Sequence, residues 1–164
     1  MNRNQLLLLK VLATSFREAL ERARDKGSFS QDAFNLFPKG CCGDTSNLLA
    51  QFLLGFGIHS NYIYGEYSYE DPEAQSQSHA WLQCQGGIII DITGDQFSDR
   101  PEFFYFDTPV FVGKIDRMHI QFKTDSRNVH SAGIENLDRI VKYRLQWLYS
   151  TILNEIGNTG TPKK

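Results

Sequence analysis

Ser78-His79-Ala80-Trp81-Leu82-Gln83-Cys84-Gln85-Gly86-Gly87-Ile88-Ile89-Ile90-Asp91-Ile92-Thr93 contains two β-like runs, His79 to Cys84 and Ile88 to Thr93, around a glycine turn. Apolar and β-branched residues favour a pleated surface, and two glycines between them supply the tight reversal of a hairpin. Upstream, His59 to Tyr67 alternates around Tyr62 and Tyr64 and predicts a further strand. Downstream, Pro109 to Lys114 and Met118 to Lys123 predict two more, joined by a turn. Strands that follow one another through short turns pair antiparallel, so this order predicts an α+β fold rather than an alternating α/β one.

Helical patterns flank the strand series. Leu6, Leu9, Ala13, Phe16, Leu20 and Ala23 recur at helical spacing, and Arg17, Glu18, Glu21, Arg22, Arg24 and Asp25 largely fill the other face. A helix from Asn4 to about Lys26, stopped by Gly27, is expected. A loop from Ser28 to Lys39 follows, and then a second helix from Cys42 to Phe56. Leu48, Leu49, Phe52 and Leu53 give that helix the broad apolar surface of a buried element. The polar run Ser68 to Ser78 reads as a surface loop and a candidate lid. Asn128 to Ser131 is expected to cap a last helix, Ala132 to Ile156, with Ile134, Leu137, Val141, Leu145, Leu148 and Ile152 on its core face. Glu135 with Arg139 and Asp138 with Lys142 are its expected outer pairs. Residues 1–157 then form one domain, and 158–164 a flexible C-terminal tail.

At 164 residues the chain suits a single core, and 41% hydrophobic with 22% charged residues is ordinary for a globular domain. A net charge of −2 gives no general electrostatic case for nucleic acid or an anionic membrane surface. The run Leu6 to Leu9 is ended by Lys10, too short for a signal sequence, and no stretch reaches the roughly 20 apolar residues of a membrane helix. The expected location is the cytoplasm. A secreted effector without a cleaved signal would read the same. Three cysteines, two of them adjacent, argue against a disulfide framework.

Gly40-Cys41-Cys42-Gly43-Asp44 places a thiol at the start of the second helix. Unpaired N–H groups and the positive end of the helix dipole ease ionisation of a thiol there, and the thiolate is the nucleophile. His79 supplies an imidazole and Asp91 a carboxylate. A three-residue loop at Cys84 to Gly86 sets His79 opposite Asp91, where Cβ atoms about 4.5–5.5 Å apart let a carboxylate fix an imidazole tautomer. A two-residue loop sets His79 opposite Ile92 instead. Trp81 shares the face of His79 in either case, since it lies two residues on. These are the parts of a cysteine nucleophile, its base and its orienter.

Gly40-Cys41-Cys42-Gly43-Asp44-Thr45-Ser46 with Leu48-Leu49, then Gly57-Ile58, His79-Ala80-Trp81 and Asp91-Ile92-Thr93, resembles the transglutaminase-like branch of the papain-like cysteine peptidases. The likeness covers roughly Pro38 to Phe97. It implies a papain-like core with the nucleophile helix packed on an antiparallel sheet. It also implies a Cys-His-Asp triad in which Cys42 is the nucleophile, His79 the base and Asp91 the orienter. The implied activity is that of a thiol-dependent amide-bond hydrolase or acyl transferase acting on a protein or peptide, with no metal or organic cofactor. Leu36 stands where papain-type enzymes carry an oxyanion-donating glutamine, which leaves Asn35, Gln31 and Tyr64 as candidate donors beside the Cys42 N–H.

Other readings stay open at this level. A binding or adaptor module on the same fold, or a small-molecule acyltransferase, would present the same residues. Cys41 becomes the nucleophile if the helix register shifts by one, and is otherwise structural. Cys84 is expected to be a packed strand residue, and Asp44 a first-turn carboxylate that complements the helix dipole. A metal site of Cys41, Cys42, Cys84 and His79 is disfavoured, because adjacent cysteines are poor tetrahedral ligands. His59, His119 and His130 read as surface or strand histidines. Asp95 and Gln96 follow Asp91 closely and are candidates to line a cleft.

Overall fold

The N-terminal amphipathic run folds as α1 (Arg3–Asp25). Asn2 caps it: the Asn2 side chain accepts from Gln5 N (3.0 Å), and the Gln5 side chain accepts in return from Asn2 N (2.8 Å). This reciprocal box satisfies two donors that the first turn leaves unpaired. Gly27, at φ 76°, follows the last turn and takes a backbone conformation that favours glycine. The computed structural model describes residues 1–70, 73 and 75–158, so most of the expected tail, 159–164, lies outside the described residues.

The second helix, α2 (Cys42–Leu54), begins at the expected thiol. The strands are β1 (Ser60–Tyr67), β2 (Gln77–Cys84), β3 (Ile88–Asp91), β4 (Phe111–Lys114) and β5 (Lys123–Ser131). They form one sheet in the order β4-β3-β2-β1-β5, with every neighbouring pair antiparallel. The chain is therefore α+β, as the strand series predicts.

Both faces of the sheet are covered. Leu82 and Cys84 of β2, with Ile88 and Ile90 of β3 and Ile92 beyond it, face a core shared with Leu9, Phe16 and Leu20 of α1 and with Leu48, Leu49 and Leu53 of α2. Burying such side chains stabilises by roughly 1.5–3 kcal/mol each. Trp81, Ile89 and Ile63 point to the opposite face, into a second cluster with Phe97, Phe103, Phe106, Met118 and Phe122. A strand covered on both sides reads as an unbroken apolar run, which accounts for Ile88-Ile89-Ile90.

Two expected elements are corrected. Met118, Ile120 and Phe122 alternate like a strand, but Met118 to Gln121 belongs to the short helix α3 (Arg117–Gln121). Asp116 accepts from His119 N at 3.0 Å, and this local cap competes with strand pairing. Ile120 is consequently exposed, while Met118 and Phe122 are buried. Asn128 to Ser131 is the end of β5 and not a helix cap. The last helix, α4 (Arg139–Asn158), starts seven residues later than expected. Gly133 has φ 124° and donates to Asn47 Oδ1 (3.1 Å), which holds this segment in a turn on α2. Asp138 accepts from Ile140 N (2.9 Å) at the actual helix start. Glu135 pairs with Lys142 rather than with Arg139, and Gly157 lies inside α4 instead of ending it. Leu145, Leu148 and Ile152 are buried as expected, whereas Val141 is exposed.

Candidate active site

The β2–β3 turn is Gln85 to Gly87, and the observed pairs are Leu82 with Ile90, Gln83 with Ile89 and Cys84 with Ile88. This register differs by two residues from the one that sets His79 opposite Asp91, and extended along the strands it sets Trp81 there. Because side chains alternate with a period of two, a shift of two keeps His79 and Asp91 on the same face. They become diagonal neighbours, and the imidazole spans the gap: His79 Nε2 lies 2.7 Å from Asp91 Oδ2, with both side chains fully buried. A carboxylate only accepts, so Nε2 carries the proton. Nδ1 is left for the other side of the ring, and Cys42 is the second group, after Asp91, that interacts with the imidazole.

The electrostatics follow from these contacts. Burial would push the Cys42 thiol up, but the His79 hydrogen bond and charge, with the Ala80 N–H, outweigh it and lower its pKa. Burial opposes a charge on His79 too, yet Asp91 and then Cys42 raise its pKa to about 10. Asp91 is held well below the usual carboxylate range: burial is outweighed by the charge of His79 and by bonds from both neighbouring imidazoles. Cys41 behaves oppositely. It is buried in the helical core, its sulfur donates to the carbonyls of Ala33 (3.4 Å) and Lys39 (3.3 Å), and burial pushes its pKa to about 12. Cys84 is also packed, with burial raising it to about 11.

His119 corrects the expectation of a surface or strand histidine. It is buried on α3, with Nε2 3.1 Å from Asp91 Oδ2 and Nδ1 2.5 Å from Asp116 Oδ1. With a carboxylate at each nitrogen, both ring nitrogens donate, and His119 is an imidazolium. Burial lowers its pKa, but the bonds and charges of Asp116 and Asp91 raise it overall. Asp91 Oδ1 accepts from Thr93 N (2.9 Å) and Thr93 Oγ1 (3.3 Å), so all four acceptor positions of this carboxylate are used. His79, Asp91, His119 and Asp116 thus form one hydrogen-bonded row, with Cys42 acting electrostatically on its His79 end. His59 and His130 are exposed, as expected.

Ligand atoms of His79, Asp91 and His119 also lie within 4.8 Å of one another, a spacing that could hold a metal ion. The same atoms pair with one another here: His79 Nε2 and His119 Nε2 both face Asp91 Oδ2. The cysteine-containing set considered from sequence does not converge, because Cys41 and Cys84 are packed in the helical core.

Packing leaves little freedom around the row. A Cβ on Gly94 would come within 2.4 Å of Phe106 Cε1 and 2.6 Å of Asp91 Oδ2. Trp81 walls His79 at 5.6 Å between ring centroids, and Phe97 meets it edge-on at 5.1 Å. Arg17, expected on the polar face of α1, is instead buried. It donates to both oxygens of Asp95 (2.7 and 2.8 Å) and to the carbonyls of Ile92 (2.7 Å) and Pro109 (2.9 Å), which anchors the chain just beyond β3. Asp44 is tied to Arg144 at 2.5 Å.

Cys42 opens onto a polar cleft of about 390 Å³, lined also by Lys39, Gly40, Ser78, Gln96 and Arg100. Gln75 to Ser78, the end of the expected lid loop, form part of its wall; Asp71, Pro72 and Ala74 lie outside the described residues. Of the oxyanion donors proposed from sequence, Gln31 and Asn35 are exposed, and the Tyr64 hydroxyl donates to Glu66 (3.0 Å). Among the described residues no helix is long and apolar enough to cross a membrane.

Comparisons with protein-family models, curated proteins and solved structures return no match. The functional reading therefore rests on the site itself. Sequence reasoning missed His119. The available signal was Asp116 three residues before it, a helix-start spacing that removes His119 from a strand.

Proposed function

We propose that this chain is a thiol-dependent amide-bond hydrolase or acyl transferase with a transglutaminase-like, papain-like core. One observation carries the proposal: the His79 ring lies between the Cys42 thiol and Asp91, with Nε2 2.7 Å from Oδ2. In the reaction, the Cys42 proton passes to His79 Nδ1 and the sulfur bonds to a carbonyl carbon. The tetrahedral oxyanion collapses, the C–N bond breaks, and the Nδ1 proton leaves with the amine. Water, or a second amine, then attacks the thioester, gives its proton to Nδ1, and releases the acyl group and the thiol. Asp91 holds Nε2–H throughout and stabilises the imidazolium without taking its proton.

A protein or peptide amide is the proposed substrate, and hydrolysis is favoured over cross-linking, because none of the described residues lining the cleft marks a second amine site. Alkylation by iodoacetamide tests the nucleophile. Cys42 should label rapidly at about pH 6, and His79→Ala should abolish that advantage. Labelling no faster than a free thiol would favour a non-catalytic binding module. Acylation confined to small thioester or arylamide donors would favour the small-molecule acyltransferase.

A further inference from the structure

We infer that Gln96 supplies the side-chain N–H that stabilises the oxyanion formed on Cys42, an assignment that rests on the proposed nucleophile. Gln96 lies in the single turn at 94–97, after β3, and lines the cleft beside Cys42. Its carboxamide is oriented by a backbone group that can only donate: Gly40 N–H gives its hydrogen bond to Oε1 at 3.1 Å. The atom facing Gly40 is therefore the oxygen, and the amide nitrogen turns toward the reacting groups. Nε2 lies 3.4 Å from His79 Nδ1, the ring nitrogen on the Cys42 side.

That contact does not persist when the thiol ionises. In the thiolate–imidazolium pair, Nδ1 carries a proton and cannot accept from Gln96. Nε2 then has no acceptor at Nδ1, and its N–H groups are available to the substrate carbonyl oxygen, where negative charge develops. Pre-aimed donors of this kind cost no reorganisation during the reaction. The backbone supplies a second donor, since Cys42 N–H belongs to the first turn of α2, and the N-cap residue, Cys41, provides no side-chain acceptor there.

The neighbourhood of Gln96 is built to hold it. Asp95, the preceding residue, is clamped by both terminal nitrogens of Arg17. The turn itself is closed by Gln96 N donating to Thr93 O (3.1 Å). Thr93 also ties to Asp91. One short segment thus carries the orienting carboxylate and the carboxamide, and Gly40 links it to the segment that carries the thiol. The donor comes from the segment after β3 and not from the loop before the nucleophile, so Leu36, which is exposed there, need contribute nothing.

Two reactions of the same sulfur separate this role from a structural one. Alkylation by iodoacetamide is a displacement at carbon and forms no oxyanion. Acylation by 4-nitrophenyl acetate passes through a tetrahedral oxyanion, releases nitrophenolate and leaves an acetyl group on Cys42. Gln96→Ala and Gln96→Met should each slow acylation by about 10²-fold, the lower end of the 10²–10³-fold range for loss of such donors. Alkylation of both variants should not slow, and its pH profile should stay in place or move to lower pH, because the Nε2 contact with unprotonated Nδ1 is gone. Equal slowing of both reactions, or of neither, overturns the assignment. A parent Cys42 that alkylates rapidly yet resists the ester also overturns it and leaves the nucleophile standing. A parent Cys42 that alkylates no faster than a free thiol overturns the nucleophile, and this assignment with it.

Discussion

Behind the sheet, toward α1, α2 and α4, the buried layer is mostly aliphatic, with Leu9, Leu20, Leu48, Leu82, Ile90 and Leu145 among its members. In front of it, Phe97, Phe103, Phe106 and Phe122 surround a row of ionisable groups. Both layers exclude water, but they do so for different ends. The aliphatic layer holds the helices on the sheet. The aromatic layer keeps His79, Asp91 and His119 dry, where each charge is felt strongly by the next. Cys41 and Cys42 mark the boundary between them: one residue apart, the first is packed behind the sheet and pushed to about 12, the second meets His79 and is lowered. A thiol's chemistry here is set by the layer it enters.

The sharpest way to break this contrast is to remove each thiol in turn. Cys42→Ala should abolish acylation and turnover, a loss of about 10⁴-fold or more, read as loss of thioester formation by mass spectrometry. Next in size is His119→Ala, which leaves Asp91 and Asp116 short of a buried cation and should destabilise the fold by about 3–5 kcal/mol, read from urea unfolding. Its pH dependence sharpens the point. Asp91 and Asp116 are lowered from 3.8, so their contribution is present above that value and lost as pH falls through their folded values. His119 is raised from 6.5, so its contribution is full below 6.5 and fades as pH rises through its folded value. The urea midpoint of the parent should therefore fall on both sides of a plateau, and His119→Ala should remove its share of the alkaline fall.

Gly94→Ala should cost about 1–3 kcal/mol by overpacking, because the new methyl meets Phe106 and the Asp91 carboxylate. Its labelling at about pH 6 should slow as well, since the displaced carboxylate no longer holds His79. Destabilisation with unchanged labelling would show that the aromatic layer and the ionised row are separable. The smallest effect is expected from Cys41→Ala. It should cost about 1 kcal/mol in stability while acylation and alkylation of Cys42 stay as in the parent. A Cys41→Ala protein that folds but no longer acylates would reverse the roles of the two thiols.

Several of these features were legible before any coordinates. The thiol at the start of α2 and the two faces of the β2–β3 hairpin follow from local periodicity, and His79 and Asp91 share a face under any register shift of two. The strand at Met118 to Lys123 was misread for a physical reason. Three alternating apolar residues carry the signature of a strand, and one aspartate accepting a backbone N–H is enough to override it over a single turn. The start of α4 was misread because Ala132 to Asp138 has a helical pattern, while its backbone is held by Asn47 of α2 and by the conformation of Gly133.

By itself the chain determined the α+β class, the antiparallel hairpin, and which of its residues offer a thiol at a helix start, an imidazole and a carboxylate on neighbouring strands, because each depends on neighbours a few positions away. Only the tertiary structure decided the register that makes His79 and Asp91 diagonal, the burial of Arg17, the arrival of His119 behind Asp91 and the aim of Gln96. Their partners lie far along the chain: Ile92 is 75 residues from Arg17, Asp91 is 28 from His119, and Gly40 is 56 from Gln96. No periodicity spans such distances. Those contacts form because sheet and helices must bury their apolar faces together, and the polar groups carried into that interior must then find one another.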